Sequence, residues 1–330
     1  MFLTIALILS LFVGCNNVDN NTISQTNGVN TTPCIVASPS LQQSNAPMQT
    51  DINTSVNSNS NLLIVSFIDV GQGDSILIQT PNCKNILIDA GESFAEGVVY
   101  NYLKVKNINK IDVLIATHPH TDHIGGMAFI INNFDIGSIY MPKASTTKQE
   151  YEDLIRAIKN KGLSIITAKA GVTIDLDSSI TINMVAPISK SYDDLNDYSA
   201  VIKITYKNNS FLFAGDASNI SEQEILDSGV NIKADVLKVG HHGSSTSSSA
   251  AFLNAVSPKY AIISVGKDNI DGNNKQETLD RLNSVGAKVY RTDESGTIIV
   301  TSDGKNIAIN NVVSNYNFQA PPTIIHPEVT

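Results

Sequence analysis

The chain has 330 residues, 42% of them hydrophobic, with a formal net charge of −9 and a pI of about 5.1. That is enough for one large or two ordinary globular domains at an ordinary apolar fraction. It lacks the basic surplus of a broad nucleic-acid footprint, which shows as a pI above about 9, so an anionic substrate would need a local source of positive charge such as bound cations.

Residues 1–14 are almost wholly apolar and lead to Cys15. Leu11-Phe12-Val13-Gly14-Cys15 has the form of a lipobox, in which a small residue before the Cys permits cleavage and the thiol carries the lipid. It departs from the usual form in Phe12, where Leu is common, and in the lack of a Lys or Arg before the apolar run. The run is short of the roughly 20 residues that cross a bilayer. A lipoprotein-type signal over 1–15 is therefore expected in preference to a transmembrane anchor. It would place the protein on the extracellular face of the cell membrane, with secretion as the alternative. Residues 16–61, rich in Asn, Ser, Thr and Gln, bury too little apolar surface to offset their ordering entropy and read as a disordered tether. The folded domain is expected over 62–311, followed by a polar tail over 312–330 in which His326 is solvated and inert. Cys83 reads as a turn residue between two strands, with a disulfide to Cys34 as the alternative in an extracellular setting. No zinc-knuckle or redox spacing is present.

Within the domain, strands are expected at Leu62–Asp69, Ser75–Thr80 and Asn85–Asp89, joined by short turns as an antiparallel meander. Asp69, Gln72 and Asp74 in the first turn either line a cleft or satisfy turn backbone. A helix over Phe94–Val105, capped by Ser93, precedes a strand at Asp112–Ala116 and a helix from about Ile124 to Asn132. A strand at Ile136–Met141 leads to a helix at Lys148–Lys161, whose apolar residues Tyr151, Leu154, Ile155 and Ile158 recur at helical spacing before Gly162. Strands follow at Ser164–Ala168, Thr173–Leu176 and Ile180–Ala186. The hairpin Ala200–Tyr206 and Phe211–Ala214 delivers Gly215-Asp216 to a strand end. Helices near Ser221–Asp227, Ser247–Val256 and Lys275–Val285 alternate with strands at Val236–Val239, Tyr260–Val265 and Lys288–Tyr290. Gly296–Thr301 and Asn306–Ile309 close the domain.

The chemistry concentrates in His118-Pro119-His120-Thr121-Asp122-His123. Residues two apart in an extended segment point the same way, so His118 and His120 can grip one ion while Asp122 and His123, past the bend, turn to a second. Imidazole and carboxylate donors suit Zn, Mn or Fe far better than Ca. Of the six His in the chain, five lie here and in Gly240-His241-His242-Gly243.

His-x-His-x-Asp-His resembles the signature of the metallo-β-lactamase superfamily. Phe67-Ile68-Asp69-Val70-Gly71-Gln72-Gly73-Asp74-Ser75, Leu87-Ile88-Asp89-Ala90-Gly91, Leu212-Phe213-Ala214-Gly215-Asp216-Ala217 and Lys238-Val239-Gly240-His241-His242-Gly243-Ser244 make it similar, in particular, to ComEC-like competence hydrolase domains over roughly 62–310. The resemblance implies a four-layered α/β-β/α sandwich and a hydrolase with two divalent ions, Zn or Mn. It implies His118 and His120 on the first ion, Asp122 and His123 on the second, Asp216 bridging, and His242 completing the second, with His241 the less favoured donor. Asp89 would support the metal loop without binding metal. Where the superfamily commonly has another His, this chain has Leu195-Asn196-Asp197-Tyr198-Ser199, making Asp197 or Asn196 a weak ligand. A His that relatives often carry after the Val265-Gly266-Lys267-Asp268-Asn269 run is replaced near Asn273. Asp122, Asp216 and His241 are the expected catalytic groups, and Ser244, Lys267 and Asn269 the expected substrate contacts, with Ser245 also near. The expected substrate is a phosphodiester, DNA being one candidate and envelope phosphodiesters (phosphorylcholine or teichoic acid units) another. β-Lactamase or lactonase chemistry and a weakly catalytic metal-binding role are the alternatives. The expected membrane contact is the lipid anchor, and no protein partner is implied.

Overall fold

The structure is a computed structural model and describes residues 61–267 and 276–311. The expected signal segment with Cys15, nearly all of the expected tether, the tail, Asn269 and Asn273 lie outside them. In chain order the first half runs β1 (Leu63–Phe67), β2 (Ile76–Gln79), β3 (Asn85–Ile88), α1 (Glu96–Val105), β4 (Lys110–Ile115), α2 (Thr121–Ile124), α3 (Met127–Asn133), β5 (Asp135–Met141), α4 (Gln149–Asn160) and β6 (Ile165–Thr167). The second half runs β7 (Ile180–Ala186), β8 (Val201–Tyr206), β9 (Asn209–Phe213), α5 (Asn219–Asp227), β10 (Val236–Lys238), α6 (Ala250–Val256), β11 (Tyr260–Ile263), α7 (Gln276–Ser284), β12 (Lys288–Arg291), α8 (Thr292–Ser295), β13 (Ile298–Ser302) and β14 (Ile307–Asn311).

Two mixed sheets result. One has the order β14-β13-β1-β2-β3-β4-β5-β6 and the other β12-β11-β10-β9-β8-β7. In each, an antiparallel hairpin or meander gives way to parallel strands, at β3-β4-β5-β6 and at β9-β10-β11-β12. The period-2 alternation of side chains sorts the core into three layers. Ile76 and Ile78 of β2, Phe211 and Phe213 of β9, and Ile262 of β11 share one cluster between the sheets. Their neighbours face outward: Leu77 packs with Leu103 of α1 and Leu154 of α4, while Leu212 and Ile263 pack with Ile225 of α5 and Phe252 of α6. Both faces of the central strands are covered, which is why the strands read as continuous apolar runs. The result is the expected arrangement of helix, sheet, sheet and helix. Among the described residues, no helix is long and apolar enough to cross a membrane.

Two local expectations fail. Ser93 does not cap the first long helix. The Glu92–Ser93 backbone is pressed against Gly125, the chain makes a 3-10 turn over Ser93–Ala95, and α1 starts at Glu96. Thr173–Leu176 reduces to one bridge, Thr173 to Asn183. Cys83 keeps its turn, at φ 62, and is disulfide-bonded; Cys34, named as the alternative partner, lies outside the described residues.

Candidate metal centre

Four strands end at the site. β3 and β4 of the first sheet deliver Asp89 and the 116–123 segment, and β9 and β10 of the second deliver Asp216 and His241-His242. Ligand sites in open α/β sheets lie at the carboxyl ends of strands because the chain must turn there. The two halves are tied across the gap. Ala200 N–H donates to Thr117 O at 2.9 Å and Gly266 N–H to Gln72 Oε1 at 3.2 Å. Within the first half, the Gly71–Asp74 turn is tied to the ligand segment, with Asp74 N–H donating to Asp122 O at 3.1 Å.

Asp216 is the hub. Its Oδ2 lies 3.2 Å from His123 Nε2, 3.5 Å from His242 Nε2, and 3.8 Å from both His118 Nε2 and His241 Nε2. Its backbone N–H is held by Ser199 Oγ at 3.0 Å. Asp122 Oδ2 lies 3.0 Å from His242 Nε2 and 3.7 Å from His123 Nε2. Asp122, His123, Asp216 and His242 each offer a donor atom within 4.8 Å of the others. On the other flank of Asp216, His118 Nε2 faces His120 Nδ1 at 2.9 Å. The spacing argument thus brings together the residues it named, with one refinement: Asp122 and His123 sit on the helical turn α2 and not in a loop.

The outer nitrogens of these imidazoles are held in turn. Asp89, buried, contacts His123 Nδ1 through Oδ2 at 2.8 Å and accepts Thr117 N–H and Thr117 Oγ1–H at 2.8 and 2.6 Å. His242 Nδ1 lies 2.9 Å from Ser264 O. His118 Nδ1 lies 3.1 Å from Thr117 Oγ1 and 3.4 Å from Ser199 Oγ. Such partners orient metal-binding imidazoles.

The charges call for a cation. Burial raises the Asp216 carboxyl, but His123 and His242 outweigh it and hold it well below the usual range. Asp122 is lowered in the same way, against its own burial. Burial likewise pushes His123 down, and Asp216, Asp122 and Asp89 overcome it, so the ring sits well above its ordinary value. His118, buried and beside His123, is pushed well below its ordinary value and stays a neutral donor. His123 Nε2 and Asp216 Oδ1 are buried without a hydrogen-bond partner, a costly state unless something else satisfies them. Buried imidazole and carboxylate donors with unspent lone pairs fit a divalent transition ion.

His241 and His242 both adopt left-handed backbone, φ 48 and 52, which costs roughly 1–2 kcal/mol per residue. The strain separates their fates. His242 is buried in the cluster, while His241, with Nδ1 3.2 Å from Thr246 Oγ1, lines the open cleft.

That cleft, about 640 Å³, is lined by the expected His120, Asp122, Asp216 and His241, and also by Gln72, Glu92, Thr121 and Lys148. Other expectations move. Asp197 turns away to α5, its Oδ1 accepting from Ser218 N–H and Ser221 N–H at 3.3 Å each. It anchors that helix start and does not join the metal cluster. Asn196 is buried beside it with Oδ1 unpartnered. Ser244 Oγ is bonded to Thr246 Oγ1 at 3.0 Å, inside its own loop. The Ser245 carbonyl accepts from Arg281, and Lys267 is exposed outside the cleft lining. Asp69 satisfies its turn through Gly71 N–H, and Asp74 pairs with Lys238 at 2.8 Å, both buried. Sequence reasoning missed Glu92, Lys148 and the buried Lys238. For Lys238 a signal existed: a lone charge inside the apolar run Val236–Val239.

A family model, that of the metallo-beta-lactamase superfamily, matches residues 68–267. The chain is 32% identical over 251 residues to ComE operon protein 3 of Bacillus subtilis (strain 168), covering 71% of this chain and 32% of that protein. It is 29% identical over 236 residues to competence protein ComA of Neisseria gonorrhoeae, covering 71% and 31%. It is 31% identical over 245 residues to recombination protein 2 of Haemophilus influenzae, covering 72% and 28%. The chain therefore spans about a third of the length of these relatives. Among solved structures it is similar to Igni18, a metallo hydrolase from Ignicoccus hospitalis KIN4/I, at a TM-score of 0.50 and 18% identity, covering 72% of this chain and 98% of that one.

Proposed function

The chain belongs to the metallo-β-lactamase superfamily, with a His/Asp metal site of a metal-dependent hydrolase, and on that premise we propose that it is a phosphodiesterase working with two divalent ions, Zn or Mn, at the outer face of the cell membrane. The observation that carries the reading is Asp216, whose Oδ2 stands between His118 on one side and His123 and His242 on the other. A carboxylate so placed suits a bridge between two ions.

His118 and His120 would hold the first ion. Asp122, His123 and His242 would hold the second, with Asp216 shared. When bound, such a pair acidifies a water and neutralises the anionic phosphate. The chain's own residues do the rest. Asp89, Thr117 and Ser264 fix the imidazoles. The cleft carries three carboxylates, Glu92, Asp122 and Asp216, so an anion approaches only once cations offset them. The names of the relatives, competence and recombination proteins, support DNA as a candidate substrate, and envelope phosphodiesters share its chemistry. The lipobox-like Cys15 supports tethering at the membrane.

The test is turnover of bis-p-nitrophenyl phosphate and of linear DNA by metal-free protein after addition of Zn²⁺ or Mn²⁺, with Asp216→Ala as control. Metal-dependent cleavage of both, lost in the variant, supports a nuclease. Cleavage of the small diester alone favours an envelope substrate, and no cleavage with two ions bound sinks the reading.

A further inference from the structure

Glu92 is a carboxyl in the cleft with no ligand role. It follows β3 in the loop that leads to α1, and its main chain is fixed: Glu92 O accepts Ala95 N–H at 2.9 Å, and a Cβ at Gly125 would sit 2.8 Å from the Glu92 carbonyl carbon. The side chain is fixed too. Its Oε1 accepts Thr121 Oγ1–H at 3.0 Å, and Thr121 stands between His120 and Asp122 in the chain. The carboxyl thus shares the cleft with His120, Asp122, Asp216 and His241 at a fixed point beside the cluster.

Hydrolysis of an ordinary phosphodiester expels an alkoxide, a poor leaving group unless a proton reaches it. Asp122 and Asp216, as ligands of the ions, would have none to give. Glu92 is shifted the other way. Burial raises it, Thr121 opposes, Asp122 and Glu150 of α4 raise it further, and His123 opposes. Lys148, at the start of α4, also lines the cleft.

We propose that Glu92 is the catalytic acid that protonates the leaving oxygen, which makes the substrate class phosphodiesters with alkyl leaving groups, as in a sugar–phosphate chain. The inference rests on the phosphodiesterase reading above. In the step, the oxygen of a water bonds phosphorus and gives up one proton to solvent. The phosphorus–oxygen bond to the leaving group breaks with its electron pair on that oxygen. The Glu92 proton completes the alcohol, and the carboxylate is reprotonated from solvent, so one water is consumed.

The experiment compares the full Mn²⁺-loaded chain with its Glu92→Gln and Glu92→Asp variants on diesters whose leaving groups run from p-nitrophenol to a nucleoside alcohol. Positioned acids contribute about 10²–10⁴-fold, and p-nitrophenolate needs little help. Glu92→Gln is therefore expected to lose at least about 100-fold in kcat on the alkyl diester and less than about tenfold on the nitrophenyl one, with the manganese content of the parent. Glu92→Asp, which keeps an acid on a shorter stem, is expected to recover part of the alkyl activity. Equal losses on both leaving groups overturn the inference, as does a reduced manganese content, which would make Glu92 a ligand, or an absence of recovery in Glu92→Asp. A parent that cleaves none of the series sinks the phosphodiesterase reading itself.

Discussion

Lys238 carries its charge into the centre of the molecule, wholly buried on β10, where its Nζ meets Asp74 Oδ2 at 2.8 Å and donates to Val239 O at 3.0 Å. The other oxygen of Asp74 lies 3.5 Å from His242 Nδ1, so the pair forms the floor under a candidate metal ligand. Removing one member of such a pair strands the other charge in the interior, at about 3–5 kcal/mol. Lys238→Met is expected to lower the urea midpoint accordingly, and adding Asp74→Leu to restore most of it. An unshifted midpoint in Lys238→Met would show that the pair contributes nothing. The two charges lie far apart in sequence. Their residue types were legible, but their meeting was not, because it depends on how the two sheets stack.

The Gly71–Asp74 turn shows how an element places a ligand it does not contain. Gly73 has φ 121, and a Cβ there would come 2.2 Å from Asp122 O, the same carbonyl that accepts Asp74 N–H. Gly73→Ala is expected to push the Asp122 backbone aside and weaken Mn²⁺ binding at least about tenfold, a loss of roughly 1.4 kcal/mol. Equilibrium dialysis that finds parental affinity would refute the role of this close approach. A second device joins α5 to the start of α6. Glu222 accepts Ser249 N–H at 2.8 Å and also Ser248 N–H, and burial pushes its carboxyl up to about 7 against those amides. The folded chain then holds this proton more tightly than the unfolded chain does. Its contribution to stability is greatest below the unfolded value near 4.5, falls as pH rises towards 7, and is flat beyond. The span is about 3 kcal/mol. Glu222→Gln is expected to flatten the decline in urea midpoint between pH 4.5 and 7, and an unchanged slope would assign the decline to other groups.

For the whole molecule, the two sheets pack face to face around Phe67, Phe211 and Phe213, and this brings the ends of β3 and β4 against those of β9 and β10. Neither half holds the full ligand set. His118, His120, Asp122 and His123 come from one, and Asp216 and His242 from the other. The anchoring proposal also belongs to this scale. In cells, the parent is expected in the membrane fraction and Cys15→Ser in the soluble or secreted fraction, read by immunoblot. Equal membrane association of the two would refute lipidation at Cys15.

The sequence alone determined the layered α/β class and the ligand types, because apolar periodicity and the short spacing of His118 to His123 are local properties that survive any packing. It misplaced Asp197, Ser244 and the Ser93 cap, because whether a polar side chain turns to a cleft or to its own loop depends on which backbone groups the tertiary fold leaves unpaired nearby. Asp197 found the free amides of Ser218 and Ser221. Only the tertiary structure brought Glu92 into the cleft and Lys238 under His242, since both placements arise where segments distant in sequence converge.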